Sequence, residues 1–138
     1  MKNTITLTSL VLLFSFLLIS CGGERKTLDV TATAYNSVNW QTKPGNPALA
    51  AWGDTLEPGM KAIAVSRDLI DSGLVHNTKV KIKGLDGTYL VKDKMNKRWR
   101  MKIDIYMGVD VEKAREWGKK KVTISWVAKP EDEVLSAK

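Results

Sequence analysis

Six short segments of the chain alternate apolar and polar residues with a period of two, the spacing at which strand side chains point to opposite faces. Val30–Tyr35 (VTATAY) is rich in strand formers. Lys61–Ser66 (KAIAVS) sets Ala62, Ala64 and Ser66 on one face and Ile63 and Val65 on the other. Lys79–Lys83 (KVKIK) sets Val80 and Ile82 against three lysines. Thr88–Lys92 (TYLVK) follows a Leu85-Asp86-Gly87 turn, and Lys102–Met107 (KIDIYM) alternates Ile103 and Ile105 with Lys102, Asp104 and Tyr106. Lys121–Val127 (KVTISWV) places Val122, Ile124 and Trp126 together. Six short strands with one wet face each predict an all-β fold, a small barrel or sandwich.

Helical spacing occurs in two places. Val111, Ala114 and Trp117 recur at helical intervals, with Asp110 to cap the start and Gly118 to stop the end. A shorter helical turn is expected over Arg67–Asp71, ended by Ser72-Gly73. Asn39–Pro58 holds Pro44-Gly45, Pro47, Pro58-Gly59, Trp40 and Trp52, and reads as a long ordered loop. Residues 129–138 are polar and follow the last strand signal, so a flexible tail is expected there.

The first twenty residues stand apart. Lys2 precedes the apolar run Leu10–Ile19, which is short for a spanning helix and right for a signal-peptide core. Leu18-Ile19-Ser20-Cys21 resembles the lipobox of bacterial lipoproteins, which implies lipidation at Cys21 and an exported, membrane-anchored protein, on the outer membrane facing the periplasm in a Gram-negative cell. Cys21 is the sole cysteine, so no intramolecular disulfide can form. The expected division is a signal peptide over 1–20, a lipidated tether over 21–28, one domain over 29–128, and the tail.

The net charge is +7, with 22 basic and 15 acidic residues. In the cytoplasm that balance points to nucleic acid; outside it, to cell-wall polymers and lipid headgroups. Export therefore sets nucleic acid aside. His76 is the only histidine, with no second imidazole and no cysteine to help it hold zinc. No serine or cysteine nucleophile with a histidine base is in prospect, and no glycine-rich phosphate loop occurs. No metal or cofactor is expected. Proton chemistry would have to come from carboxylates, tyrosines or lysines.

That directs attention to Val91–Gly108 (VKDKMNKRWRMKIDIYMG), where Asp93 and Asp104 bracket five cations and Trp99. If Thr88–Asp93 and Lys102–Met107 pair as a hairpin, the two carboxylates approach each other. On residue chemistry alone Asp93 reads first as a turn cap and Asp104 as a surface carboxylate paired with lysine. Asp54 and Asp68 are further carboxylates that the sequence does not place.

Several of these segments resemble one family. Val30–Tyr35 is similar to the opening strand of the 3D (three-aspartate) domain, Ile63–Ser66 to its IAVDP segment, and Val75–Ile82 to a later strand. Asp93 followed by Ile103-Asp104-Ile105-Tyr106 resembles its D-T-G-G…IDIY pattern, and Ala114–Gly118 its A-x-x-W-G helix end. The resemblance spans about Val30 to Trp126. It implies a six-stranded double-psi β-barrel with one or two short helices. It also implies action on peptidoglycan glycan strands, as in lytic transglycosylases of the MltA and stationary-phase-survival types. Those enzymes cleave the MurNAc–GlcNAc β-1,4 bond and leave a 1,6-anhydro ring. Carried over, Asp93 would be the general acid and base and Asp104 its partner. Tyr35, Trp52, Lys94, Asn96 and Trp99 would contact substrate, and the protein would be a monomer. The chain has Ser66-Arg67 where the pattern has Asp-Pro, and Lys94-Met95-Asn96 where it has Thr-Gly-Gly. A glycan-binding lipoprotein without catalysis is the alternative.

Overall fold

A computed structural model describes residues 23–38, 45–129 and 131–136. The leader, Cys21, Trp40 and Pro44 lie outside them. Six strands close a barrel: β1 (Arg25–Tyr35), β2 (Ala62–Val65), β3 (Lys79–Ile82), β4 (Tyr89–Lys94), β5 (Lys102–Tyr106) and β6 (Lys120–Val127). Three short helices accompany them, α1 (Arg67–Asp71), α2 (Val111–Trp117) and α3 (Glu131–Ser136). The order around the barrel is β1-β5-β2-β4-β3-β6. Only β3 and β4 are neighbours both in sequence and in space. β1 runs parallel to β5 and β2 parallel to β4; the other pairs are antiparallel.

The alternation translates directly into an inside and an outside. Val30, Ala32, Ile63, Val65, Val80, Ile82, Val91, Ile103, Ile105, Val122, Ile124 and Trp126 are buried and form one cluster. Leu69 and Ile70 of α1, with Leu74 and Val75 after it, join the same core. Trp126 needs a partner for its indole N–H and donates it to the Ser72 carbonyl at 3.3 Å. α2 begins and ends as its sequence directs: Asp110 accepts from the Lys113 amide at 3.0 Å, and Gly118 follows the last turn at φ 65°.

The structure departs from the sequence expectations in four respects. β1 starts at Arg25, so Arg25–Leu28 lie in the sheet against Val127–Ile124 of β6, where a tether was expected. β2 is buried on both faces, since a second apolar cluster of Ala50, Leu56, Ala62 and Tyr106, with Tyr35 beside it, covers its outer side. The end of the chain folds into α3, and Val134 reaches the main core. The fourth concerns the site. β4 and β5 do not pair as a hairpin, because β2 lies between them, parallel to one and antiparallel to the other. A short strand apolar on both faces is best buried at a central position.

Candidate functional site

The interposed strand aligns the two aspartates. Ala64 of β2 is in register with Asp93 on one side and with Asp104 on the other. Thr33 of β1 is in register with Asp104 in turn. Residues in register on adjacent strands share a face, so Thr33, Asp104, Ala64 and Asp93 form one row across four strands. Ala64, itself buried, puts only a methyl between the two carboxylates.

A bulge places Asp93 in that row. The register steps from Ile63 opposite Val91 to Ala64 opposite Asp93, so Lys92 is the additional residue in β4. With Val91 facing the core, simple alternation would turn Asp93 inward as well. The bulge directs it to the outer face, as such irregularities do next to functional sites.

The surroundings of the two carboxylates differ. Asp93 Oδ1 accepts from the amides of Ala51 at 2.7 Å and Lys94 at 2.8 Å. Asp104 Oδ1 accepts from the Thr33 hydroxyl at 2.8 Å. Burial pushes the Asp93 carboxyl above its ordinary value, against the pull of the two amides and Lys94. Burial likewise raises Asp104; Thr33 and Lys102 oppose that, and the neighbouring Asp93 adds to it. Tyr35 stands within the field of both. Burial first, then the charges of Asp93 and Asp104, push its phenol far above its usual range. Its hydroxyl is buried and has no hydrogen-bond partner among the described residues. Its ring packs on Tyr106 at a centroid separation of 5.4 Å.

A second group of residues arrives from the long loop. Leu49 and Thr55 bridge as a minimal hairpin, with Gly53 at φ 91° in its turn. Its tip brings Ala51, Trp52 and Asp54 to β4. Asp54 Oδ1 accepts from Lys92 Nζ at 2.8 Å, and Asp54 Oδ2 pairs with His76 Nε2. Burial works against the Asp54 charge, but Lys92 and His76 outweigh it and hold the carboxyl below its ordinary value. The Trp52 ring lies 5.3 Å from that of His76, and Lys94 Nζ lies 4.8 Å from the Trp52 ring.

The residues expected to form the site thus separate into two sets. Asp93, Asp104 and Tyr35 come together, with Trp52 and Lys94 at their edge. Asn96 and Trp99 belong to the 95–101 connection, which is exposed from Asn96 onward. Asn96 Oδ1 accepts from the Arg98 amide at 3.1 Å, and the Trp99 ring carries Lys102 Nζ at 3.8 Å. Their contacts organise that loop and do not include the carboxylate pair. Ser66 is buried, and its Oγ accepts from the Lys102 amide at 3.0 Å, so it ties β5 in place. Asp68 Oδ2 accepts from the Met101 amide at 2.9 Å, which commits it to the same loop. The sequence had set His76 aside and left Asp54 unplaced. Its one usable signal was the Trp52-Gly53-Asp54 turn within a loop expected to be ordered.

Three clefts of about 300, 450 and 310 Å³ are lined by residues other than the two aspartates. No group of three or more His, Cys, Asp or Glu able to share a metal ion occurs among the described residues. No helix among them is long and apolar enough to cross a membrane. No protein-family model matches the chain, and no curated protein matches it.

Proposed function

We propose that this domain cleaves the glycan strands of peptidoglycan at the MurNAc–GlcNAc β-1,4 bond, as a lytic transglycosylase does. The observation that carries the reading is the pair of half-buried aspartates flanking Ala64 on the outer face of the sheet, both with raised affinity for protons. The strand order and the two parallel pairs support the double-psi reading of the barrel.

The hydrogen bonding favours Asp104 as the acid, the reverse of the allocation taken from the sequence. Two N–H donors on one oxygen favour a charged Asp93. The Thr33 hydroxyl can donate to a carboxylate or rotate to accept from a carboxylic acid, so it serves Asp104 in either state. In the proposed reaction Asp104 gives its proton to the glycosidic oxygen as the bond to the MurNAc anomeric carbon breaks. Asp93, ionised, stabilises the oxocarbenium-like transition state. Asp104, now a carboxylate, takes the proton of the MurNAc 6-hydroxyl as that oxygen bonds to the anomeric carbon. The acid is regenerated and no water is consumed, so the wider carboxylate spacing of inverting hydrolases is not needed. Trp52 and Lys94 offer the sugar a stacking and cationic edge.

The reading includes anchoring of a monomer through lipid on Cys21 in the bacterial envelope, with no nucleic-acid partner. Muropeptides released from purified sacculi, examined by mass spectrometry, test it. Anhydro products are expected from the wild type and a loss of at least about 100-fold in Asp104→Asn, the scale of general acid–base catalysis. Intact sacculi after incubation with folded wild-type protein would reject cleavage. A second reading, glycan binding alone, is favoured by Ser66, whose commitment to the Lys102 amide leaves the row with two carboxylates. It predicts co-sedimentation with sacculi that is unaffected by Asp104→Asn and weakened by salt.

A further inference from the structure

The hairpin tip grips three consecutive residues of β4. Ala51 N–H holds Asp93, Trp52 lies beside Lys94, and Asp54 holds Lys92. His76, from the turn before β3, completes the grip through Asp54 and lies beside Trp52. Side-chain exposures of 23% for Asp54, 18% for Lys92 and 33% for His76 shield these charges more than an ordinary surface pair. Within the tip, the Ala50 amide donates to the Asp54 carbonyl at 2.8 Å, which couples the position of Ala51 to that of Asp54.

We propose that Asp54 and His76 are positioning residues for the carboxylate pair: they clamp the hairpin onto β4, keep the Ala51 amide on Asp93, and so fix which aspartate carries the charge. The proposal rests on Asp93 and Asp104 being the reacting pair. Neither Asp54 nor His76 touches substrate in this scheme. Among the described residues, the charged and titratable groups facing the reacting pair are Lys94, Lys102 and Tyr35, and those facing Asp54 are Lys92 and His76.

The sign of the effect separates clamping from simple charge. Asp54→Asn removes a negative charge and frees the Lys92 ammonium beside Asp93. By Coulomb's law alone that would make Asp93 easier to ionise and lower its titration point. Loss of the Ala51 amide does the opposite, since an acceptor deprived of a donor ionises less readily. The proposal therefore predicts a shift to higher pH.

The experiment is a ¹³C carboxyl NMR titration of the full chain labelled at aspartate, with the Asp93 resonance assigned from Asp93→Asn. In Asp54→Asn, Asp93 should titrate at higher pH than in wild type, and the acidic limb of the pH–rate profile for anhydro-muropeptide release should move the same way. The loss should fall on kcat, with KM little changed. An unchanged or lower Asp93 titration point in a folded Asp54→Asn would overturn the proposal. If that variant does not fold, His76→Leu and His76→Gln give a gentler pair, because Lys92 still holds Asp54. Leucine should raise the Asp93 titration point and glutamine, which retains a donor, should restore it; equal behaviour of the two overturns the clamp. Absence of anhydro products from wild type would reject cleavage, while the titration would still decide the clamp.

Discussion

At the scale of single residues, Asp104 and Asp93 bind protons more readily in the fold than in the unfolded chain. Both carboxyls are raised by burial. As pH climbs from the ordinary carboxylate range through the raised folded values, the unfolded state gains relative to the fold, so these two groups cost stability at neutral pH. Asp54 and Asp68 have the opposite sign. Burial works against each, but Lys92 and His76 for the first, and the Met101 amide foremost for the second, leave both lowered, and their contribution is lost on acidification. Asp104→Asn should therefore be more stable than wild type at pH 7 by about 1 kcal/mol, while its activity falls. Urea unfolding at pH 4 and pH 7 checks this: the gap between variant and wild type should widen with pH. A gap that narrows would contradict a raised Asp104. Tyr35→Phe offers a second check. It deletes a buried hydroxyl without a partner, so stability should hold or rise by up to about 1 kcal/mol, measured by the same unfolding curves.

At the scale of elements, the bulge in β4 and the 48–56 hairpin build the site together. The first turns Asp93 outward, and the second supplies an amide to meet it. The base of that loop closes where Pro58 packs on Gly108. A Cβ at Gly108 would lie 3.1 Å from Pro58 Cα, and its φ is +59°. Gly108→Ala should cost about 1–2 kcal/mol through left-handed backbone and crowding together, seen as a lower melting temperature. Much at this scale was legible in the sequence. The alternation of Ile103 and Ile105 against Asp104 survives as inside and outside, and Asp110 and Gly118 bound α2 as expected. The bulge was not legible, since Val91-Lys92-Asp93 carries no glycine or proline to mark an irregularity. Nor was α3, whose polar composition conceals the apolar contact of Val134.

At the scale of the molecule, the barrel brings together segments far apart in the chain. Thr33, Ala64, Asp93 and Asp104 come from four strands, and the groups that tune them come from a loop and from the turn before β3. α3 closes the chain by packing Val134 on the core, so truncation after Lys129 should lower stability by about 1–2 kcal/mol, the scale of burying one valine. Thermal unfolding of the truncated chain measures it. A loss within error would mean that α3 contributes nothing to the barrel.

Local information lies in the sequence because it depends on neighbours a few residues away. Strand period, helix caps and the restriction of proton chemistry to carboxylates, tyrosines or lysines follow from side-chain direction, backbone donors and the lack of paired histidines or a free cysteine in the domain. Partnership across the barrel does not. Asp93 and Asp104 are linked by a short connection, and the nearest explanation for such spacing is a hairpin. Burying both faces of β2 instead required a place between them, and that requirement appears only when the whole apolar surface is assembled. The same assembly brought His76 to Asp54, two residues that no motif or spacing would have paired.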